Sequence, residues 1–463
     1  MSFSIVPTHL AVKAMRDNGY KNAAYALAEL MDNSIQAGAS NVELLCGERD
    51  FLVSERIRAR VHQIAIIDDG HGMDKETLRF ALQFGNGTHL EESTQKGIGR
   101  FGMGLPASSI SQCRKVEVWT WQGKKEDAIY SYLDLDKIIN MEMADVPEPI
   151  IKSIPDEWVK SSKHIGDKGT LVVWSNLDKL IWKNASTIID NSEFVIGRMY
   201  RRFLENGSVK IRMAGFDLDN HSNIKIDKYA LPNDPGYLMV GTSTPSPYDN
   251  EPMFEKWGGE DFEVTHIISF RGKNAPVKIR YTFAKEDSRK GANPGSRPYG
   301  RHAKKNAGLS VVRAERELEL DTTWTNPSDP RDRWWGVEVD FPPALDELFG
   351  VTNNKQHAHN LTELANFDFE EALKGGVSIA ELKEELEADE DPRAPLLEIA
   401  HQVDNTLSVL RRLLRAQTAS EENASKKRHA NPKDSVESKA TQITNKRKGS
   451  GFAGMSDNDE NLP

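Results

Sequence analysis

A two-layer α+β sandwich over residues 1–206, followed by a second α/β unit over residues 207–360, is the fold class this chain predicts. Three features carry that expectation. Residues 20–37 place Ala24, Leu27, Leu30, Met31 and Ile35 at helical spacing, with Gly38 as a C-terminal cap. Apolar runs that read as strands (Asn41–Cys46, Val61–Ile67, Lys115–Trp121 and Gly169–Trp174) alternate with helical stretches at 8–18, 74–84, 105–112 and 187–205. Polar and glycine-rich motifs stand at the ends of those strands.

The second unit follows Asn206-Gly207, with strands read at Val264–Phe270, Val277–Phe283, Leu309–Arg313 and Trp335–Phe341. A Gly/Pro/basic loop, Arg289 to Lys305, lies between the second and third of these. Residues 361–417 turn helical and acidic. There Leu396, Ala400, Val403, Leu407, Leu410 and Leu414 keep heptad spacing for fewer than three heptads, which predicts a packed helix rather than a coiled coil. From 418 to 463 Ser, Asn, Lys and Glu dominate, and a disordered tail is expected.

A hydrophobic content of 38% and a charged content of 28% suit a soluble globular chain with ample core. The net charge of -10 excludes a surface that coats nucleic acid throughout, but not a local basic patch. Cys46 and Cys113 show no CxxC or zinc spacing and are expected to be buried thiols in a reducing compartment. The first residues lack a basic start and a long apolar run, and no stretch nears the ~20 apolar residues of a membrane span. A cytoplasmic setting is expected, or a nuclear one in a cell with a nucleus.

Four motifs carry the chemistry. Glu29 and Asn33 stand at i and i+4 of the 20–37 helix and share a face. An ATPase needs a base for the attacking water and oxygen ligands for Mg²⁺ across the phosphates; Glu29 suits the first role and Asn33 the second. Asp68 ends an apolar strand and opens Asp68-x-Gly70-x-Gly72, where a carboxylate can accept from the exocyclic amine of adenine and glycines let the backbone pass close. Gly97 to Gly104 is a glycine-punctuated loop to which Lys96, just before it, and Arg100, within it, add positive charge. It runs into a helix at Leu105-Pro106 whose free N–H groups favour phosphate. Gly169-Thr170 opens a later strand. The pattern is neither a Walker loop nor a strand–GxGxxG–helix dinucleotide unit.

In this order the four elements resemble the GHKL ATPase superfamily, which holds type II topoisomerase ATPase domains, MutL and MORC proteins, large dimeric heat-shock chaperones and histidine kinases. Ala28-Glu29-Leu-Met-Asp-Asn33-Ser-Ile-Gln-Ala37-Gly38-Ala39 is most similar to the MutL and MORC versions. The resemblance implies a Bergerat-type ATP-binding fold with Glu29 as general base, Asn33 as Mg²⁺ ligand and Asp68 as adenine-binding carboxylate. It places Gly70, Gly72 and Met73 along the base, and Gly99, Arg100, Phe101, Gly102, Met103 and Gly104 in the phosphate lid. Thr170 falls on the adenine side. Phe349-Gly-Val-Thr-Asn-Asn-Lys355-Gln356 resembles the end of the MORC transducer domain, which implies that Lys355 reaches the γ-phosphate; Lys304 and Lys305 compete for that role.

The function implied is an ATP-gated switch: a homodimer closed by ATP and Mg²⁺ through the N-terminal segment 1–20 and opened by hydrolysis. DNA is the expected partner, through Arg289, Lys290, Arg297, Arg301, Lys304 and Lys305. A protein-remodelling chaperone of the same superfamily is the alternative. A histidine-kinase reading is poor, because only about twenty residues precede the Glu29 helix and His9 is the only histidine among them.

Overall fold

The computed structural model describes residues 7–17, 19–85, 103–291, 293–352 and 356–427. Its first half runs α1 (Thr8–Asp17), α2 (Ala23–Gln36), β1 (Asn41–Val53), β2 (Arg56–Asp68), α3 (Lys75–Leu82), α4 (Gly104–Ile110), β3 (Cys113–Trp121), β4 (Ile129–Asp134) and α5 (Leu135–Ile139). It continues with β5 (Ile150–Ile151), α6 (Asp156–Ser161), β6 (Gly169–Leu177), α7 (Ala185–Met199), α8 (Arg201–Glu205), β7 (Lys210–Asp217) and β8 (Ile224–Tyr229). The eight strands form one sheet in the order β5-β4-β3-β6-β2-β1-β7-β8.

Helix α2 starts at Ala23, three residues later than read from the sequence, because Asn22 caps it, its side chain accepting from the amides of Ala24 (2.9 Å) and Tyr25 (3.4 Å). It ends at Gly38, whose φ of +72° gives the left-handed turn that glycine tolerates best. The α2 stripe Ala26, Leu27, Leu30 and Met31 packs on Val42, Leu44, Ile64, Ile66 and Val172, together with residues of α1, α4 and α7. This is the helical layer of the predicted sandwich. The opposite face of the sheet buries a smaller cluster, Trp119, Trp121, Leu171 and Phe216, capped by Trp158 of α6.

Four expectations about the elements need correction. The predicted strands 41–46 and 61–67 are the base of a much longer hairpin, in which Val53 pairs with Arg56. Charged residues interrupt the apolar pattern beyond Cys46, so burial there gives no signal. The predicted 187–205 helix breaks at Tyr200 into α7 and α8. Asn206-Gly207 is a turn inside the first sheet rather than its end: β7 lies parallel to β1, and Arg212 joins the buried Glu43 at 3.0 Å, so the sheet runs on to Tyr229. The fourth concerns the basic segment 289–305, described with the site.

The second sheet is built from β9 (Phe254–Lys256), β10 (Glu263–Phe270), β11 (Lys273–Ala284), β12 (Leu309–Arg313), β13 (Arg316–Asp321) and β14 (Trp335–Phe341). Its order is β10-β11-β14-β12-β13, with β9 on β11. Helices α9 (Glu286–Arg289) and α10 (Pro298–Lys305) join β11 to β12. Salt bridges tie this sheet to α7 and α8: Arg198 Nε and Arg201 Nη1 meet Glu317 at 2.5 and 2.9 Å, and Arg202 Nη2 meets Glu338 at 2.6 Å. Helices α11 (His359–Leu364), α12 (Phe369–Ala372), α13 (Ile379–Ala388) and α14 (Leu397–Lys427) complete the described chain, as the helical reading of 361–417 expects. The tail read as disordered from 418 differs at its start, where 418–427 continue helix α14; from 428 on it lies outside the described residues. Both cysteines are buried and free. Among the described residues no helix is long and apolar enough to cross a membrane.

Candidate functional site

Three of the four motifs meet where the C-terminal half of α2 crosses the ends of β2 and β6. Asp68, the last residue of β2, pairs in register with Thr170 on β6. Its Oδ2 accepts from Ser34 Oγ of α2 at 2.8 Å and its Oδ1 from the amide of Gly70 at 3.0 Å. Burial pushes the Asp68 acid up to about 6, against the lowering pull of those hydrogen bonds. A carboxylate has about four lone-pair directions, so these donors leave Asp68 able to accept from a further N–H. Thr120 of β3 ties the floor together: its Oγ1 accepts from the Met73 amide at 2.8 Å, donates to Gly169 O at 3.0 Å and lies 3.1 Å from Thr170 Oγ1.

The turn after Asp68 is held by its neighbour. Asp69 accepts from the amides of Ser40 (2.8 Å) and Asn41 (2.9 Å), and His71 N donates to Ala37 O at 3.0 Å. Glycine is required at Gly72, where φ is +69° and a Cβ would sit 2.2 Å from Trp121 O. The chain therefore turns tightly over the end of the sheet, as the Asp-x-Gly-x-Gly reading expects.

Glu29 and Asn33 share one flank of α2 but differ in environment. Glu29 is 2% exposed, whereas Asn33 reaches solvent. The carboxylate of Glu29 faces the first turn of α4, close enough that a Cβ on Gly104 would lie 2.8 Å from Oε2. The absence of a side chain at Gly104 thus leaves the acid its room. Met103, which precedes α4, sits beside Gly85, from whose built Cβ its Sδ is 3.6 Å distant. Gly99, Arg100, Phe101 and Gly102 lie outside the described residues, as does Lys355.

Residues to which no role was given in the sequence reading complete the site. Arg316, at the start of β13, is buried behind α2: its Nε donates to Asp32 Oδ1 at 3.0 Å and its Nη2 is 4.0 Å from Glu29 Oε1. The Tyr200 hydroxyl, in the break between α7 and α8, lies 2.7 Å from both Asp32 Oδ1 and Ala28 O. Burial opposes the charge of Arg316, but Asp32, Tyr200 and Glu29 together hold it protonated. A guanidinium from the second sheet therefore sits beside the acid expected to act as base. The signal in the sequence was slight: Arg316 reads as one of several charges in Arg313-Ala-Glu-Arg316-Glu. Near the undescribed 353–355, Gln356 meets the residues just before α2, its Oε1 accepting from Lys21 N and its backbone O from Lys21 Nζ, both at 3.3 Å.

The basic segment differs from its expectation. Instead of continuing as a loop, 298–305 is helix α10, started by Pro298 and burying Tyr299, His302 and Ala303. Tyr299 packs edge-on against Tyr248, with centroids 5.0 Å apart. Arg289 is buried with its Nε on Ala284 O, Lys290 is bound to Asp287, and Arg297 donates to the Tyr299 hydroxyl. Arg301, Lys304 and Lys305 remain exposed.

The donor set fits a purine nucleotide: a buried carboxylate with acceptor capacity to spare, hydroxyls beside it, and a second carboxylate against a glycine-started helix. Among the described residues no group of three or more His, Cys, Asp or Glu could hold a metal ion. Asn33 offers a single oxygen, which fits Mg²⁺ carried mainly by phosphates and water. Residues 20–166 match the family described as histidine kinase-, DNA gyrase B-, and HSP90-like ATPase. The chain is 23% identical over 150 residues to the DNA mismatch repair protein MutL of Flavobacterium psychrophilum, covering 31% of this chain and 22% of that one. It is 33% identical over 105 residues to ATPase MORC2 of Homo sapiens, covering 22% of this chain and 9% of that one. It thus spans about a fifth or less of these relatives' lengths. A solved structure titled as the N-terminal domain of a DNA repair protein aligns with 81% of this chain and 98% of that one, at 14% identity and a TM-score of 0.43.

Proposed function

We propose that this protein binds ATP with Mg²⁺ at the end of β2 and hydrolyses it, the two nucleotide states setting the relation between the first sheet and the second. The observation that carries the reading is that Asp68, paired with Thr170, bonds Ser34 of α2 while Glu29 of the same helix faces Gly104; Ser34, Asp68, Glu29 and Gly104 lie inside the segment that matches an ATPase family. In this reading Asp68 accepts from the adenine amine, and Gly70, Gly72 and Met73 let the backbone lie along the base. Asn33 donates its oxygen toward the metal; bound Mg²⁺ would neutralise the phosphate oxygens. Glu29, buried and therefore poorly solvated, orients the attacking water and takes its proton. By the family resemblance, the 85–104 segment is the phosphate lid, and Lys355 reports the terminal phosphate to the second unit.

Arg316 supports the switch part of the reading, because one side chain of β13 touches the helix that carries the base. A shift of that strand moves a buried charge relative to Glu29, a two-state packing event that hydrolysis can bias. The ATP-binding unit, a transducer-like unit to residue 360 and a helical segment to 417 are the corresponding divisions. The closed form is a homodimer and its substrate is DNA.

Light scattering of the full chain with Mg²⁺ and a nonhydrolysable ATP analogue tests this, with and without duplex DNA. A shift from monomer to dimer with the analogue is expected. A monomer in every condition removes the clamp; failure to bind the analogue removes the whole reading.

A further inference from the structure

The long β1–β2 hairpin leaves the sheet. Pairing of β1 with β7 stops at Glu48, and pairing of β2 with β6 covers only Ile64 to Asp68. Residues 49–60 therefore form a free two-stranded ribbon, about 17 Å long at ~3.4 Å per residue. A bulge at Gly47/Glu48 sets its register, and the turn at Ser54-Glu55 has both φ positive, at 47° and 64°. That turn type matches the twist of a ribbon.

Register decides what each face carries. Residues directly opposite in an antiparallel pair share a face. Arg58 faces Phe51 and Arg60 faces Arg49, and Arg56 lies two residues from Arg58 on the same strand. One face of the ribbon thus holds Arg49, Arg56, Arg58 and Arg60 around Phe51, with the His62 ring 6.3 Å from that of Phe51. The other face holds Leu52 against Ile57 and Asp50 against Ala59. Phe51 is 43% exposed. Arg49 has a partner, Asp219 at 3.2 Å, while Arg56, Arg58 and Arg60 make no ion pair among the described residues. Folding does not use these charges. Arg56 and Arg58 are exposed and Arg60 is half-buried, and like charges set close together on a protruding ribbon favour an anionic partner.

We infer that this ribbon is a double-stranded DNA contact, entering the major groove with its arginine face. A groove about 12 Å wide admits a two-stranded ribbon. Guanidinium groups pair with phosphate oxygens or with guanine edges in bidentate fashion, and Phe51 supplies apolar contact among them. An anionic lipid surface fits less well, because the apolar face opposite offers only Leu52 and Ile57 as large side chains. The inference deepens the DNA part of the proposed function and rests on it. It also moves the main contact away from the 289–305 segment, where Arg289 is buried.

The test uses fluorescence anisotropy of a labelled 30-base-pair duplex with the full-length protein over a salt series. The wild type is compared with R56E/R58E/R60E, with the milder R56Q/R58Q/R60Q, and with R301E/K304E/K305E. Both ribbon variants are expected to lose at least about tenfold in affinity and to flatten the salt dependence by ~2–3 in slope. The α10 variant is expected to lose less, and ATP turnover of the ribbon variants without DNA is expected to match the wild type. Wild-type binding that both ribbon variants retain in full would overturn the ribbon and leave the DNA reading standing. No duplex binding by the wild type at low salt would overturn both. Ribbon-dependent binding to phosphatidylserine vesicles in place of duplex would overturn the ribbon's assignment to DNA.

Discussion

Asp68 and Asp32 are two buried carboxylates at opposite sides of α2, and they are satisfied in different ways. Asp68 meets only neutral donors, the Ser34 hydroxyl and the Gly70 amide, and burial lifts its acid to about 6. Asp32 meets the guanidinium of Arg316 and the hydroxyl of Tyr200. Neutral donors leave a carboxylate ready to accept from a ligand; a buried guanidinium fixes it in the fold. One acid is suited to recognition, the other to linking the second sheet to the helix that carries Glu29.

The largest effect that would test this contrast is on the Asp32 side. Arg316→Met leaves Asp32 buried without its cation and is expected to cost about 3–5 kcal/mol in urea unfolding. A loss below about 1 kcal/mol would mean that Arg316 does not hold the two units together. On the other side, Asp68→Asn presents an amide N–H donor where the ligand brings its own donor. A 10–100-fold loss of ATP affinity by calorimetry is expected, about 1–3 kcal/mol, with the fold intact.

The same acid gives a pH signature. Its folded value of about 6 lies above the ~3.9 of an unfolded chain, so between those values the folded protein holds a proton that the unfolded chain gives up. The stability this contributes is complete below about pH 4 and is lost as pH rises through about 6. ATP affinity should move oppositely, rising as the acceptor ionises. Both trends should vanish in Asp68→Asn; a variant that keeps them would place the titrating group elsewhere.

Gly104→Ala is subtler. Its methyl would press on Glu29 Oε2, the free end of a flexible side chain, so folding should change by less than ~1 kcal/mol. Displacing the base should still slow ATP turnover by ~10–100-fold with affinity kept, since small misplacements are costly in a reacting geometry. Smallest of all, R56Q/R58Q/R60Q should leave unfolding stability within ~0.5 kcal/mol of the wild type.

Much of the site was legible because its residues obey strict local rules. The α2 stripe has helical period, and the Asp-x-Gly-x-Gly turn needs glycine where the chain passes over Trp121. What the sequence hid is long-range or solvated. Arg316 and Tyr200 reach Asp32 only through the packing of two sheets, and a buried charge network has no periodicity of its own. The ribbon faces water on both sides, so no apolar alternation marks it as strand beyond Cys46. The basic segment looked open because of its Gly and Pro content, yet Pro298 starts a helix and Tyr299 anchors it.

The most direct measurement is single-turnover ATP hydrolysis by Glu29→Ala, read beside equilibrium binding of Mg²⁺-ATP to the same variant. The account predicts affinity within about threefold of the wild type and turnover lowered by at least ~10². Hydrolysis at the wild-type rate by that variant would contradict it.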